Sequence, residues 1–235
     1  MRTVALRTAI AIAVAVMGML SGPPVSNAAE RNLLNNGDFA RGSGSSCDGW
    51  RVDAWILSPT ATEFKWIPPS GDEPAELEID THHDNDARWE QTVPLAPGWY
   101  YFSVEARTVK ILQFFIGATI SVLEDSIMSD NLKRTNDWTK LGFYLRVGPK
   151  GADVDVALRI GGFMNLNRGT AFFRRASVVK VSGPPPGDQH VFDLEQIRKD
   201  EVTGPIGNIW SLVATFIAFI VIAAVGWWMF SEDRA

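Results

Sequence analysis

The chain has 235 residues, 46% of them hydrophobic and 21% charged, with 20 glycines and 13 prolines. That is the composition of a globular protein, not of a disordered or collagen-like one. The net charge is −5, or −7 once the first 28 residues with Arg2 and Arg7 are set aside, and no basic stripe interrupts it, which argues against nucleic acid as a partner. A lone cysteine, Cys47, excludes an internal disulfide framework.

The N-terminus carries Arg2 and Arg7, then the apolar run Ala9–Leu20, a Gly22-Pro23-Pro24 break and the small residues Ser26-Asn27-Ala28. The apolar run is shorter than the ~20 residues a membrane span requires, so 1–28 is expected to be a secretory signal cleaved after Ala28. Residues 29–182 show no amphipathic helix but many alternating runs. Tyr100, Phe102, Val104 and Ala106 alternate with Tyr101, Ser103, Glu105 and Arg107. The same pattern runs through 112–122, 140–147 and 153–160. Period-two patterning with one apolar face predicts half-buried antiparallel strands. Pro94, Pro97-Gly98 and Gly148-Pro149-Lys150-Gly151 punctuate them. The expected fold is all-β, an antiparallel jelly-roll or β-sandwich ectodomain.

Residues 183–208 are expected to form a linker and stalk: Gly183-Pro184-Pro185-Pro186-Gly187 as a stiff spacer, then a short helix capped by Asp188 and running through Val202. Ile209–Phe230 has 22 residues without a charge, with Trp210 near one end and Trp227-Trp228 at the other. At 1.5 Å per residue it reaches roughly 33 Å, which predicts one C-terminal transmembrane helix. Residues 231–235 would be a cytoplasmic tail. The expected location is the cell membrane, single-pass, with the N-terminal domain in the periplasm or at the cell surface.

Catalytic chemistry finds little support. Glu76, Glu78 and Asp80 alternate along one strand about 6.5–7 Å apart, a spacing within glycosidase range, but a solvated strand face is the simpler reading. The neighbours His82 and His83 project to opposite sides of a strand, and His190 lies in the stalk, so neither a metal site nor a Ser-His-Asp arrangement is expected. Cys47 has no closely flanking base to activate it. Nine tryptophans are the more informative count. Sugars present flat C–H faces that stack on aromatic rings and hydroxyls that need amide, carboxylate or guanidinium partners. A sheet face carrying Trp89, Gln91, Phe115, Tyr144, Arg146 and Arg159 would supply both, and these six are the candidate ligand-binding residues.

Four segments also carry a resemblance. They are Asn32-Leu33-Leu34-Asn35-Asn36-Gly37-Asp38-Phe39 followed by Gly49-Trp50; Gln91-Thr92-Val93-Pro94-Leu95-Ala96-Pro97-Gly98-Trp99-Tyr100; Asn136-Asp137-Trp138-Thr139; and Gly169-Thr170-Ala171-Phe172-Phe173. In order and spacing, over Asn32 to Val181, they resemble the CenC-type carbohydrate-binding modules of families four and nine. The resemblance implies a galactose-binding-like jelly roll, a polysaccharide or oligosaccharide ligand, and packing roles for Trp50 and Trp138. It also implies a structural calcium site, at which this chain has Ala40 and Arg174-Arg175. Two guanidinium groups repel a hard cation that needs several oxygen ligands. No calcium site and no cofactor are therefore expected, and the arginines are expected to pair with nearby carboxylates. Two functions remain open: a non-catalytic, membrane-anchored, extracytoplasmic glycan-binding protein of a bacterial envelope, or an accessory subunit of an envelope or polysaccharide-export complex that docks a protein partner on its β-sandwich.

Overall fold

The structure is a computed structural model that describes residues 31–123 and 126–203. Gly42–Ser43 (β1) and Ser46–Cys47 (β2) form a small hairpin. Arg51–Ala54 (β3), Thr62–Ile67 (β4), Glu76–Asn85 (β5), Ala87–Leu95 (β6), Gly98–Ile111 (β7) and Ala118–Val122 (β8) follow. Ile127–Met128 (β9), Arg134–Val147 (β10), Ala152–Ile160 (β11), Asn167–Val181 (β12), Val191–Asp193 (β13) and the helix Leu194–Thr203 (α1) complete the order. One sheet runs β13-β10-β7-β12-β5-β4 and the other β3-β6-β11-β8-β9. Pairing is antiparallel except where β13 joins β10. From β5 to β12 the chain crosses between the sheets at each connection save the β8–β9 hairpin, which is the connectivity of a jelly roll.

Side-chain alternation explains the core. Leu77 and Ile79 of β5, Phe102 and Val104 of β7, Phe143 and Leu145 of β10, and Val156 and Leu158 of β11 are all buried between the sheets. Their sequence neighbours face outward, so each strand divides by parity. Phe102 and Phe143 stack with ring centroids 4.8 Å apart. The opening segment is stapled to β12: Asn32 Oδ1 accepts from the Val178 amide at 3.0 Å, and Asn32 Nδ2 donates to the Ala176 carbonyl at 2.9 Å. Trp50 is buried edge-on against Phe39.

Two expectations are corrected. The alternation through 112–122 does not make one strand: only Ala118–Val122 pairs, and 112–117 forms a loop. A Cβ on Gly117 would lie 2.0 Å from the Leu132 carbonyl oxygen, while the Asn167 side chain takes up both backbone groups of Leu112. The segment after the proline spacer is not a free stalk either. Val191–Asp193 pairs with Tyr144–Arg146, so its backbone hydrogen bonds go to the sheet and the helix begins at Leu194. Asp193, not Asp188, caps it, accepting from the amides of Glu195 and Gln196. Leu194 is buried and Ile197 packs on the core, so the folded body continues past residue 182. The expected signal peptide, transmembrane helix and tail lie outside the described residues, among which no helix is long and apolar enough to cross a membrane.

Candidate functional site

Alternation along β3, β6 and β11 turns Arg51, Asp53, Arg88, Glu90, Thr92, Asp155 and Arg159 onto the outer face of the five-stranded sheet. The register sets Arg51 beside Glu90, Asp53 beside Arg88, Thr92 beside Asp155, and Arg88 directly beside Arg159. Two like charges opposed across strands repel. Asp86, at the turn into β6, offsets this: its Oδ2 accepts from Arg159 Nη2 at 2.5 Å and from Arg88 Nη1 at 3.3 Å. Arg159 is fully buried, where a charge is tolerated only when paired. Arg88 also reaches Asp53, and Glu90 at 3.1 Å; Arg51 reaches Glu90 at 3.0 Å and Asp155 at 3.2 Å. The Thr92 hydroxyl donates to Asp155 and holds its carboxyl below the usual carboxylate range, against a partial burial that raises it, with Arg51 adding to the lowering.

This network floors a groove. One stretch of about 490 Å³ is bounded by Arg51, Arg88, Glu90, Asp155 and Arg159, with Leu123, Ser126 and Arg198 of α1 along its wall. A second stretch of about 520 Å³ shares Arg88 and Ser126 and continues to Asp53, Trp55 and Phe163. Trp55 is 72% exposed and Phe163 67%, so the groove has a polar floor and an aromatic rim. Such a groove can hold a hydroxyl-rich ligand by fixed donors and acceptors below and by ring contact at one end.

The six residues expected to share one face do not. Trp89 and Gln91 point between the sheets. The Trp89 ring is 2% exposed, lies edge-on to Phe64 and donates Nε1–H to the Glu78 carbonyl; the Gln91 amide bonds the backbone of Asn35 at 2.9 and 3.1 Å. Their parity is that of Ala87, Val93 and Leu95, all buried. Tyr144 and Arg146 lie on the outer face of the other sheet, Tyr144 against Tyr101 at 4.6 Å and Arg146 with Asp193 at 3.2 Å. Phe115 sits in the loop before β8. Only Arg159 reaches the groove. Its companions Arg51, Arg88 and Glu90 were missed, although the parity of 87–95 carries the signal that would have found Arg88 and Glu90.

Elsewhere the acidic strand is paired off: Glu78 with Lys65 at 3.0 Å, Glu76 with Arg107 at 3.9 Å, and Asp80 with the Thr170 hydroxyl at 2.9 Å. Among the described residues no group of three His, Cys, Asp or Glu is placed to hold a metal ion. Arg174 and Arg175 both bond Glu105, at 2.6 and 3.1 Å. Burial works to raise the Glu105 carboxyl, but these two guanidinium groups outweigh it and hold it below its ordinary range. Ala40, in the opening segment, is exposed. Burial pushes the Cys47 thiol up to about 12, which keeps it protonated and unreactive.

No family model and no curated protein matches the chain. Among solved structures it is similar to a CBM4 protein at 15% identity, covering 63% of this chain and 99% of that one with a TM-score of 0.45. It is also similar to the CBM61 module TmCBM61 in complex with β-1,4-galactotriose, at 15% identity over 64% and 99% of the two chains with a TM-score of 0.43. A cyclase from Fischerella sp. TAU is similar at 12% identity, over 65% and 98%, with a TM-score of 0.44.

Proposed function

We propose that this protein is a non-catalytic, membrane-anchored glycan-binding protein of the CenC type, exported through 1–28, anchored through 209–230, and acting outside the cytoplasm of a bacterium. The observation that carries the reading is the groove across β3, β6 and β11, with fixed guanidinium and carboxylate groups on its floor and Trp55 at its rim. Its charges narrow the ligand. Arg51, Arg88 and Arg159 are each bonded to a carboxylate, and Asp53, Asp86, Glu90 and Asp155 match them. A polyanion would find no surplus of positive charge there, whereas a neutral, hydroxyl-rich chain can exchange hydrogen bonds with both members of each pair. The leader, with Arg2 and Arg7 ahead of its short apolar run, and the uncharged apolar stretch 209–230 support the anchored, extracytoplasmic part.

Affinity electrophoresis of the full chain in mild detergent, through gels holding neutral polysaccharides, tests this. Retarded migration is expected in at least one gel, with Trp55→Ala weakening it about tenfold, the loss typical of one stacked aromatic contact. Unchanged migration of folded protein in every neutral glycan overturns the reading and leaves protein docking on the sandwich.

A further inference from the structure

Of the nine large hydrophobic side chains exposed among the described residues, all but Leu33 and Val52 lie on three loops: Trp55-Ile56-Leu57, Phe114-Phe115 and Phe163-Met164. Phe114 is 86% exposed and Met164 82%. Strand register gathers these loops at one end of the sandwich. Ala54 pairs with Ala87, Ala87 with Ile160, and Ile160 with Ala118 across one sheet; Ile111 pairs with Arg134, and Asn85 with Asn167, across the other. The loops are fastened from beneath. Asn85 bonds both backbone groups of Ile56, and Asn167 bonds both of Leu112 together with the Ile116 carbonyl. Gly162 and Asn165 close the third loop by reciprocal backbone hydrogen bonds. Side chains this apolar, held outward on fixed backbone, form a patch of the kind that marks an interaction surface.

Charge indicates the occupant. Lys110 precedes the Phe114-Phe115 loop, and Lys133 and Arg134 lie beside it, Arg134 bonding Gln113 within the loop and Lys133 packing near Gly117. Cations thus flank apolar tips in a chain whose net charge is −5. Apolar tips that enter the boundary between headgroups and acyl chains, with cations set to meet anionic headgroups, are the requirements of peripheral membrane binding. We propose that this end of the sandwich is a membrane-binding surface whose partner is a bilayer containing anionic lipid. The surface is separate from the groove except at Trp55 and Phe163, and the proposal does not rest on glycan binding.

The test holds the full chain in nanodiscs of phosphatidylcholine and adds protein-free vesicles, either of phosphatidylcholine alone or with phosphatidylglycerol. Co-flotation is expected to be at least about tenfold greater with the anionic vesicles. The double variant Phe114→Ser, Met164→Ser should lose most of it, and Lys133→Glu with Arg134→Glu should lose the preference for anionic lipid. All four side chains lie at the surface, so the variants should fold, which circular dichroism checks, and they leave the groove intact for the electrophoretic assay. Equal flotation of wild type and the Phe114/Met164 variant overturns the proposal. So does a concentration-dependent dimer that the same variant dissolves, which would assign the tips to a second copy of the chain.

Discussion

Asn85 and Asn167 face each other across β5 and β12, both fully buried, and neither wastes a hydrogen-bonding group. Asn85 Oδ1 accepts from the amides of Ile56 and Asp86, while its Nδ2 donates to the Ile56 carbonyl and to Thr62 Oγ1. Asn167 repeats the arrangement with the amides of Leu112 and Arg168 and the carbonyls of Leu112 and Ile116. An amide offers two acceptor positions and two donors, so both side chains are saturated. Nothing smaller or singly functional can replace them, because a buried backbone group left without a partner costs about 1–3 kcal/mol. Asn85→Ala should therefore lower stability by roughly 1–3 kcal/mol, since the Ile56 amide loses its partner while the Ile56 carbonyl keeps the Ser58 amide. A urea midpoint measures that loss, and hydrogen exchange should locate it, with the Ile56 amide losing protection while β7 and β10 keep theirs. Uniform loss of protection would mean that Asn85 supports the whole sandwich and not one loop. Trp89→Ala offers the contrast. Removing a fully buried ring from the centre of the sandwich should cost about 3–5 kcal/mol and weaken every strand together.

Strands differ in how much of themselves the sequence discloses. In β7, β10 and β11 the inward residues are aliphatic or aromatic and their neighbours mostly polar, so parity alone assigns the faces. In β6 the pattern misleads: Trp89 and Gln91 look like a sugar-binding pair, but they share the parity of Ala87, Val93 and Leu95. The Gln91 amide is tolerated inside because the Asn35 backbone satisfies it, and that partner lies 56 residues away. The 112–117 loop deceives in the same manner, since its alternation is that of a strand and the Asn167 bonds that bend it come from 51–55 residues on. Patterning is local, whereas the partner that overrides it is remote. The same holds for α1, whose start moves from Asp188 to Asp193 because β13 finds an open edge on β10. Asp193→Ala removes the acceptor for two first-turn amides and the partner of Arg146. The expected cost is about 1 kcal/mol, read as a fall in the urea midpoint with faster exchange confined to 194–199.

The charge that the two sheets carry outward ties the molecule to pH. Glu105 on one sheet and Asp155 on the other both have carboxyls held below their ordinary range, Glu105 by Arg174 and Arg175 against the pull of burial, and Asp155 by the Thr92 hydroxyl foremost. A carboxyl whose pKa is lower folded than unfolded binds protons more readily in the unfolded chain. Its stabilisation is complete above the unfolded value, about 4, and is lost as the pH falls from there through the folded value. Glu76 opposes them: burial raises its carboxyl, so acid relieves a cost there. Glu105 has the stronger hold, with two arginines at 2.6 and 3.1 Å, and should dominate the acid limb. Glu105→Gln keeps the shape and removes the charge. At pH 7 it should lower the urea midpoint by the equivalent of about 1 kcal/mol, a modest figure because Arg175 is largely exposed and solvent screens it. At pH 5 the difference should persist, and by pH 3 the wild type should have descended to meet the variant. A gap that stays constant down to pH 3 would show that the Glu105 charge contributes nothing and that the carboxamide loses only hydrogen-bond geometry. Convergence would instead show that Arg174 and Arg175 make with Glu105 a fastening between β7 and β12 whose hold depends on an ionised carboxylate.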